Sequence, residues 1–224
     1  GIIDMEKEWS NQFRRKQTEP KPLCAPELFK KVFYRAAQEF YARMDLDFEV
    51  DGTNKNFLGH FCRYWNRDPA FELVENISLR KGLMVFGSYG TGKTSSFKII
   101  QNMSRQYGLR ALWFPSISAQ EVVDKYNAEK NKDDIIKYYS KGIFLFDDLG
   151  SETVANNVYQ YGKEDIFVRI LLNRYRNFED LGTKTHITTN LNDSQLEDRY
   201  GRQISDRFVR MFNQLKLDGP SRRK

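Results

Sequence analysis

The sequence predicts an α/β protein in which a parallel β-sheet carries helices on both faces. Apolar runs of strand length alternate with longer segments whose apolar residues recur at helical spacing. A glycine-rich motif follows the first of these runs, and a pair of aspartates follows a later one. With 224 residues, the chain is long enough for one domain with a substantial core and a small appendage.

The glycine-rich motif fits the pattern G-x-x-x-x-G-K-[ST] and consists of Gly87, Ser88, Tyr89, Gly90, Thr91, Gly92, Lys93 and Thr94. Its glycines let the backbone turn tightly, so that consecutive N–H groups point at one anion. Lys93 adds a positive charge for the β- and γ-phosphates of a nucleotide, and Thr94 offers a hydroxyl to Mg²⁺. The motif therefore predicts a P-loop NTPase with ATP and Mg²⁺ as cofactors.

The residues around the motif favour this interpretation over a glycine-rich surface turn. Residues 81–86 are a turn followed by an apolar run, which is typical of a buried strand. After the motif, apolar residues recur at helical spacing as far as Gly108, a natural end for a helix. A strand, a glycine-rich loop and a helix in this order are the setting that a phosphate loop requires.

Two aspartates stand at the end of another apolar run. Residues 143–146 are all apolar and are followed by Asp147, Asp148, Leu149 and Gly150. In a parallel sheet, ligands bind at the carboxyl ends of such strands. One acid there can hold Mg²⁺, and a second can polarise the attacking water. Aspartate also forms turns, but the pair combined with the phosphate loop favours a hydrolytic site.

The remaining segments complete the alternation of helices and strands. We expect residues 1–22 to be an arm and linker, and residues 23–54 to form an N-terminal helical region. Helical spacing of apolar residues predicts helices over residues 26–44, 57–65, 119–128, 163–178 and 194–213. Further strands are predicted over residues 110–114, 185–189 and 214–218, with a loop over residues 151–162.

The strand over residues 185–189 ends at Asn190. A polar amide in this position can orient the water that attacks the γ-phosphate. The alternative is that Asn190 only forms a turn. Within the strand, His186 is expected to be a core or edge residue rather than a ligand.

The formal net charge is +6, and residues 196–224 carry 8 basic and 4 acidic side chains. This excess of positive charge in residues 196–224 favours an anionic partner, with nucleic acid as the first candidate. A solvated basic tail is the alternative. Upstream, Tyr126, Tyr138 and Tyr139 lie between basic residues, where aromatic rings either stack on single-stranded bases or pack on a helix face.

Composition excludes several other classes of protein. Cys24 and Cys62 are the only cysteines and show no paired spacing. We therefore expect reduced thiols in a cytoplasmic protein, without a zinc site or a disulfide framework. No apolar run approaches the roughly 20 residues that cross a bilayer, so no membrane partner is expected.

In series, the motifs resemble the AAA+ ATPases of the DnaC helicase-loader and IstB transposition-helper group. The resemblance rests on residues 81–94, on FDDLGSE at 146–152 and on ITTNL at 187–191. It implies that residues 55–224 form an AAA+ ATPase domain. In this family the strand order is 5-1-4-3-2, and, as in many loaders, we expect no C-terminal helical lid.

The resemblance also implies roles for single residues. Asp147 would hold Mg²⁺, Asp148 would activate water, and Asn190 would be sensor 1. The end of the chain, Gly-Pro-Ser-Arg-Arg at 219–223, is similar to the family's G-x-S-x-R ending and makes Arg223 a candidate sensor 2.

Residues 200–207 are similar to the family's box VII. There Arg207 would be the finger that reaches the γ-phosphate of a neighbouring subunit, a task that suits a permanently charged guanidinium. Relatives often carry a further arginine where this chain has Gln203, with Arg202 beside it. The identity of the finger is therefore open between two arginines.

The function implied by the resemblance is that of an ATPase that delivers a replicative helicase onto single-stranded DNA during replication initiation. The N-terminal helices would bind the helicase, and binding of ATP or DNA would lead the protein to assemble into a homo-oligomer. Two alternatives stay open. One is a transposition helper that acts on duplex DNA with a transposase, and the other is a nucleotide-dependent scaffold whose hydrolysis is incidental.

Overall fold

The computed structural model describes residues 21–153 and 165–222. Residues 1–20 of the predicted arm, most of the loop predicted over 151–162, and Arg223 lie outside the described residues. The described strands are β1 (Gly82–Phe86), β2 (Ser116–Ser118), β3 (Phe144–Asp147), β4 (Thr185–Thr189) and β5 (Phe212–Lys216). They form one parallel sheet in the order β2-β3-β4-β1-β5. Counted from the other edge this is 5-1-4-3-2, so the predicted fold class is confirmed.

The helices of the described residues are α1 (Pro26–Ala42), α2 (Lys55–Trp65), α3 (Lys93–Gln106), α4 (Ala119–Ala128), α5 (Lys132–Tyr139), α6 (Ile166–Leu181), α7 (Asp193–Tyr200) and α8 (Arg202–Met211). Leu83 and Val85 of β1 pack into one core with α1, α2 and α3, whereas Met84 packs into a second core with α4 to α8. Because successive side chains of a strand point to opposite faces, both faces of the sheet are covered. In the described part of the chain, no helix has the length and apolar content of a bilayer span.

The N-terminal helices share a core with the helix that follows the phosphate loop. The ring of Phe61 in α2 lies 6.0 Å from that of Phe33 in α1 and 5.3 Å from that of Phe97 in α3, centroid to centroid. All three rings are buried. The N-terminal helices therefore pack against the core of the domain, while the division into a partner-binding region and an ATPase domain stays a prediction.

The second strand lies further along the chain than the sequence predicts. Residues 110–112 form a 3-10 turn, and β2 begins only after Pro115. Pairing with β3 starts where the Leu145 N–H donates to the Pro115 carbonyl at 2.9 Å. Leu112 and Phe114 are both buried, and this spacing of two imitates a strand. The prediction of a strand over residues 110–114 is therefore wrong.

Further boundaries differ from the prediction as well, most clearly those of α6 and β5. Helix α6 begins three residues later than expected, because the Asp165 carboxylate accepts a hydrogen bond from the Phe167 N–H at 3.0 Å and caps its start. The helix ends at Gly182, whose φ of 67° is left-handed. Strand β5 begins two residues earlier than expected, directly after α8, because Phe212 pairs with Gly82. In contrast, α4 has the predicted bounds, and the Ser118 side chain caps its start.

A fully buried arginine ties the amino ends of β3 and β4 together. The guanidinium of Arg174 in α6 donates to the Thr185 hydroxyl at 2.7 Å and to the carbonyls of Tyr139 at 2.5 Å, Gly142 at 2.6 Å and Lys184 at 3.1 Å. Tyr139 ends α5, where the helix dipole is negative. Burial lowers the pKa of Arg174 to about 9, which leaves it charged at neutral pH.

Candidate nucleotide-binding site

The phosphate loop lies between β1 and α3, as the motif predicts. Its glycines Gly87, Gly90 and Gly92 have φ values of 144°, 76° and 103°. A Cβ on Gly87 would lie 2.1 Å from the carbonyl oxygen of Leu217, and one on Gly90 would lie 2.3 Å from the Ser221 hydroxyl. Backbone conformation and space both require glycine here, so the chain forms a cradle that side chains would fill.

The amino group of Lys93 lies inside this cradle. Its Nζ donates to the carbonyls of Gly87 at 2.8 Å and Ser88 at 2.7 Å, and to the side-chain oxygen of Asn190 at 2.7 Å. Lys93 is also the first residue of α3, whose N-terminal end carries a partial positive charge. Two residues that are 97 positions apart in the sequence thus meet at one anion-binding loop.

The two predicted metal ligands are in contact. The Thr94 hydroxyl donates to Asp147 Oδ1 at 2.8 Å, and the Thr188 hydroxyl donates to the same oxygen at 2.5 Å. Burial raises the pKa of Asp147, although these two hydrogen bonds oppose that effect. A hydroxyl and a carboxylate beside a phosphate loop form the oxygen donor set that Mg²⁺ prefers, so the residues present fit the metal.

Asp148 and Asn190 lie next to this pair. Asp148 has a left-handed φ of 54°, which is uncommon for a residue with a side chain, and its N–H donates to the Thr188 hydroxyl at 2.9 Å. The Asn190 amide donates to Asp148 Oδ1 at 3.3 Å while its oxygen accepts from Lys93. One amide therefore joins the second acid to the lysine of the phosphate loop.

A cavity of about 590 Å³ opens beside the loop. Its lining combines the loop residues Thr91 and Gly92 with aromatic side chains from the N-terminal part of the chain, Tyr41, Phe48 and Phe57. Its size suits a small-molecule ligand. N-terminal aromatic residues therefore line a cavity beside the phosphate loop, and sequence reasoning did not single out Tyr41 or Phe48 for such a place.

The chain after β5 lies against the phosphate loop. The Arg222 N–H donates to the Gly90 carbonyl at 2.9 Å, and its guanidinium donates to Asp51 Oδ2 at 2.6 Å and to the Thr53 hydroxyl at 3.0 Å. The Thr53 hydrogen bond and the Arg222 guanidinium hold the pKa of Asp51 below its usual range. Sequence reasoning placed the functional arginine at 223, which lies outside the described residues, and missed the contact made by its neighbour.

Arg207 lies away from this cluster. Its guanidinium carbon lies 4.8 Å from the centroid of the Tyr175 ring, over the face of α6. No contact among the described residues joins Arg207 to the phosphate loop of the same chain. The structure thus brings Lys93, Thr94, Asp147, Asp148 and Asn190 together. It leaves Arg207 apart from them, and the resemblance assigns Arg207 to the site of a neighbouring subunit.

Sequence reasoning gave no role to Glu152, although it belongs to the FDDLGSE motif. This buried carboxylate accepts from the Gly150 N–H at 2.7 Å, the Tyr200 hydroxyl at 2.5 Å and the Arg199 guanidinium at 3.3 Å. It therefore connects the turn that carries the aspartate pair to the end of α7, directly before the segment that contains Arg207. The sequence signal that could have revealed this role was an acidic residue shortly after the aspartate pair.

The sheet order, the phosphate loop after β1 and the acids at the end of β3 define a P-loop NTPase fold of the AAA+ type. No protein-family model matches this chain, and a search of curated proteins found no match either. Solved structures do match. A crystal structure of the DnaC helicase loader has a TM-score of 0.53 and 18% identity, covering 84% of this chain and 99% of that chain.

Two other solved structures are similar to a comparable degree. DnaI gives a TM-score of 0.52 and 22% identity, covering 78% of this chain and 89% of that chain. The replication initiator DnaA bound to AMPPCP and single-stranded DNA gives a TM-score of 0.51 and 18% identity, covering 77% of this chain and 49% of that chain. At these identities the similarity establishes the fold, and the resemblance predicted from the motifs is confirmed at that level.

Proposed function

We propose that this protein binds and hydrolyses ATP and acts as a helicase loader of the AAA+ type. The observation that carries the proposal is that Lys93, Thr94, Asp147, Asp148 and Asn190 converge on one glycine cradle. These residues come from three separate segments, and structural turns alone would not require them to meet. The first test is Mg²⁺-dependent binding of a fluorescent ATP analogue, and a Lys93→Ala variant should abolish it.

The residues divide the work as follows. Lys93 and the loop N–H groups bind and orient the phosphates, and Thr94 and Asp147 hold the metal. Bound Mg²⁺ supplies charge neutralisation for the phosphates. Asp148 holds and polarises the attacking water. Asn190 positions the side chains of Asp148 and Lys93 relative to each other through its amide. An Asp148→Asn variant should bind ATP but turn it over at least a hundredfold more slowly, in the range expected for loss of a general base.

Turnover depends on assembly in this proposal, because Arg207 lies outside its own subunit's site. An Arg207→Ala variant should bind ATP normally and lose the ATPase activity that rises with protein concentration. Arg202→Ala tests the rival finger, and Arg210→Ala, on the same helix, is the matched control. Concentration-dependent turnover that survives in Arg207→Ala but is lost in Arg202→Ala would transfer the role to Arg202.

The partners we propose are a replicative helicase and single-stranded DNA, in a cytoplasmic protein that assembles as a homo-oligomer. Support comes from the fold shared with the DnaC helicase loader, DnaI and a DnaA structure that holds single-stranded DNA. The basic C-terminal segment also favours a nucleic-acid partner. The Asp148→Asn variant, which should retain ATP, is the bait for a pull-down from the native host. Recovery of a hexameric helicase would support the loader.

Recovery of a transposase, together with ATPase stimulation by duplex rather than single-stranded DNA, would support the transposition helper instead. A scaffold would bind a protein partner tightly without ATPase stimulation by either form of DNA. The pull-down therefore identifies the partner, and the ATPase assay with the two forms of DNA separates the scaffold from the other two functions.

A further inference from the structure

A second cavity, of about 720 Å³, lies at the opposite end of the sheet from the phosphate loop. Its lining includes Leu79, Ile143 and Lys184, which precede β1, β3 and β4. These positions are at the amino ends of the strands, whereas the phosphate loop is at the carboxyl ends. We call this space the amino-end cavity, and none of the residues given roles in nucleotide binding lines it.

The amino-end cavity is cationic. Lys21, Arg67 and Lys184 line it, and no carboxylate does so among the described residues. The Lys184 amino group donates to the Leu79 carbonyl at 2.5 Å and stands 5.4 Å from the centroid of the Tyr64 ring. Burial and the charge of Arg67 lower the pKa of Lys184 to about 8. Three cations around one opening attract an anion, which would also relieve their mutual repulsion.

Aromatic rings complete the lining. Trp65 and Phe114 stack in the wall with their centroids 5.0 Å apart. Trp113 lines the cavity and is 44% exposed, and the guanidinium of Arg105 lies 4.6 Å from the centroid of its ring. Ile143, also 44% exposed, forms another part of the rim. An accessible indole among cations is the arrangement with which proteins stack bases and follow a phosphate backbone.

We propose that the amino-end cavity binds single-stranded nucleic acid, with a base on Trp113 and backbone phosphates at Lys21, Arg67 and Lys184. The inference rests on the proposed function, since it gives a location to the nucleic-acid contact. A free nucleotide shares the same chemistry of a base beside a phosphate. The polymer is favoured because three cations and a half-exposed rim exceed what a single phosphate group and base would use.

The binding test uses the full chain and a fluorescein-labelled oligo(dT) of about 15 nucleotides, a length of the order that one binding domain covers. A Lys21→Gln/Arg67→Gln double variant should reduce the slope of log K against log salt by about 1.4, since each phosphate contact on a single strand contributes about 0.7. Trp113→Ala should weaken binding about tenfold.

The matched controls come from another exposed basic and aromatic region. Lys130→Gln/Lys137→Gln removes the same charge, and Tyr138→Ala removes a ring that is 63% exposed. Neither control should change the affinity or the salt slope by more than the experimental scatter. If the controls weaken binding and the cavity variants do not, the site lies in the region of α5 and the proposal is wrong, while the proposed ATPase and loader function is unaffected.

A mapping experiment on the unmodified protein removes any dependence on how well the variants fold. Oligo(dT) carrying 5-iododeoxyuridine is crosslinked by ultraviolet light, and the modified peptide is identified by mass spectrometry. Attachment at Trp113 or Tyr64 supports the proposal, and attachment only elsewhere overturns it. If dTMP binds in a way that depends on Trp113 and the oligonucleotide does not bind, the ligand is a free nucleotide. That result would contradict the proposal of a polymer. Failure of the wild-type protein to bind any single strand would overturn both this site and the nucleic-acid part of the proposed function, with ATP binding measured separately.

Discussion

The buried guanidinium of Arg174 is expected to carry a large share of the stability of the fold. It makes five hydrogen bonds, four of them to backbone carbonyls at the end of α5, before β3 and before β4. An Arg174→Met variant keeps most of the side-chain volume but removes the charge and all five donors. Two effects then compete. The carbonyls lose their donors, at about 1–3 kcal/mol for each buried group left unsatisfied, while the cost of burying the cation is recovered.

The loss of hydrogen bonds should outweigh the recovered cost of burying the cation, because several acceptors lose their donor at once and methionine offers no replacement. We expect the free energy of unfolding to fall by about 3–5 kcal/mol. For a domain of this size that corresponds to a fall in Tm of about 6–20 °C. Urea unfolding followed by circular dichroism measures the change directly.

Arg176→Met is the matched control, since Arg176 is exposed on the same helix. Its effect should stay within about 0.5 kcal/mol. An Arg174→Met protein as stable as the wild type, or more stable, would show that the burial cost of the cation outweighs its hydrogen bonds and would refute the reasoning.

The remaining predictions concern the sheet and the phosphate loop. His186 accepts a hydrogen bond from the Leu83 N–H at 3.1 Å, and burial lowers its pKa to about 3. The unfolded chain therefore binds a proton below pH 6.5 that the folded protein does not, so stability falls as the pH drops. Relative to His186→Gln, the wild type should lose about 2 kcal/mol between pH 7 and pH 5, measured by urea unfolding; equal pH dependence would contradict this account. Gly87→Ala should abolish binding of the ATP analogue and destabilise the fold by about 1–3 kcal/mol, because the added Cβ meets the Leu217 carbonyl. Gly52→Ala, with no atom near its Cβ, should do neither, and an unimpaired Gly87→Ala protein would show that the cradle tolerates a side chain.

Local signals predicted much of the fold. The phosphate loop, β4 and the capped helix α4 lie where the sequence places them, because each depends on residues adjacent in the chain. His186 is a satisfied core residue, as expected from its place within a strand. Of the three tyrosines considered for base stacking, Tyr126 and Tyr139 are buried and only Tyr138 is exposed. Two of the three tyrosines therefore pack on a helix face and are not available for base stacking.

The errors have local causes as well. Leu112 and Phe114 alternate like strand residues, but both are buried in a connection that leads to β2. Periodicity shows burial and does not reveal which neighbour pairs with the backbone. For α6, an aspartate cap at 165 and a glycine stop at 182 were visible in the sequence and would have corrected its bounds.

The sequence by itself determined which chemical groups the protein can use: a glycine cradle with its lysine, a pair of acids and a strand-end amide. Only the tertiary structure decided which groups meet. It joins Lys93 to Asn190 across 97 positions and Asp51 to Arg222 across 171, and it buries Arg174 among backbone carbonyls. The physical reason is that backbone preferences and apolar periodicity are properties of contiguous residues. Contacts between distant segments depend instead on strand order and on the packing of side chains around the sheet.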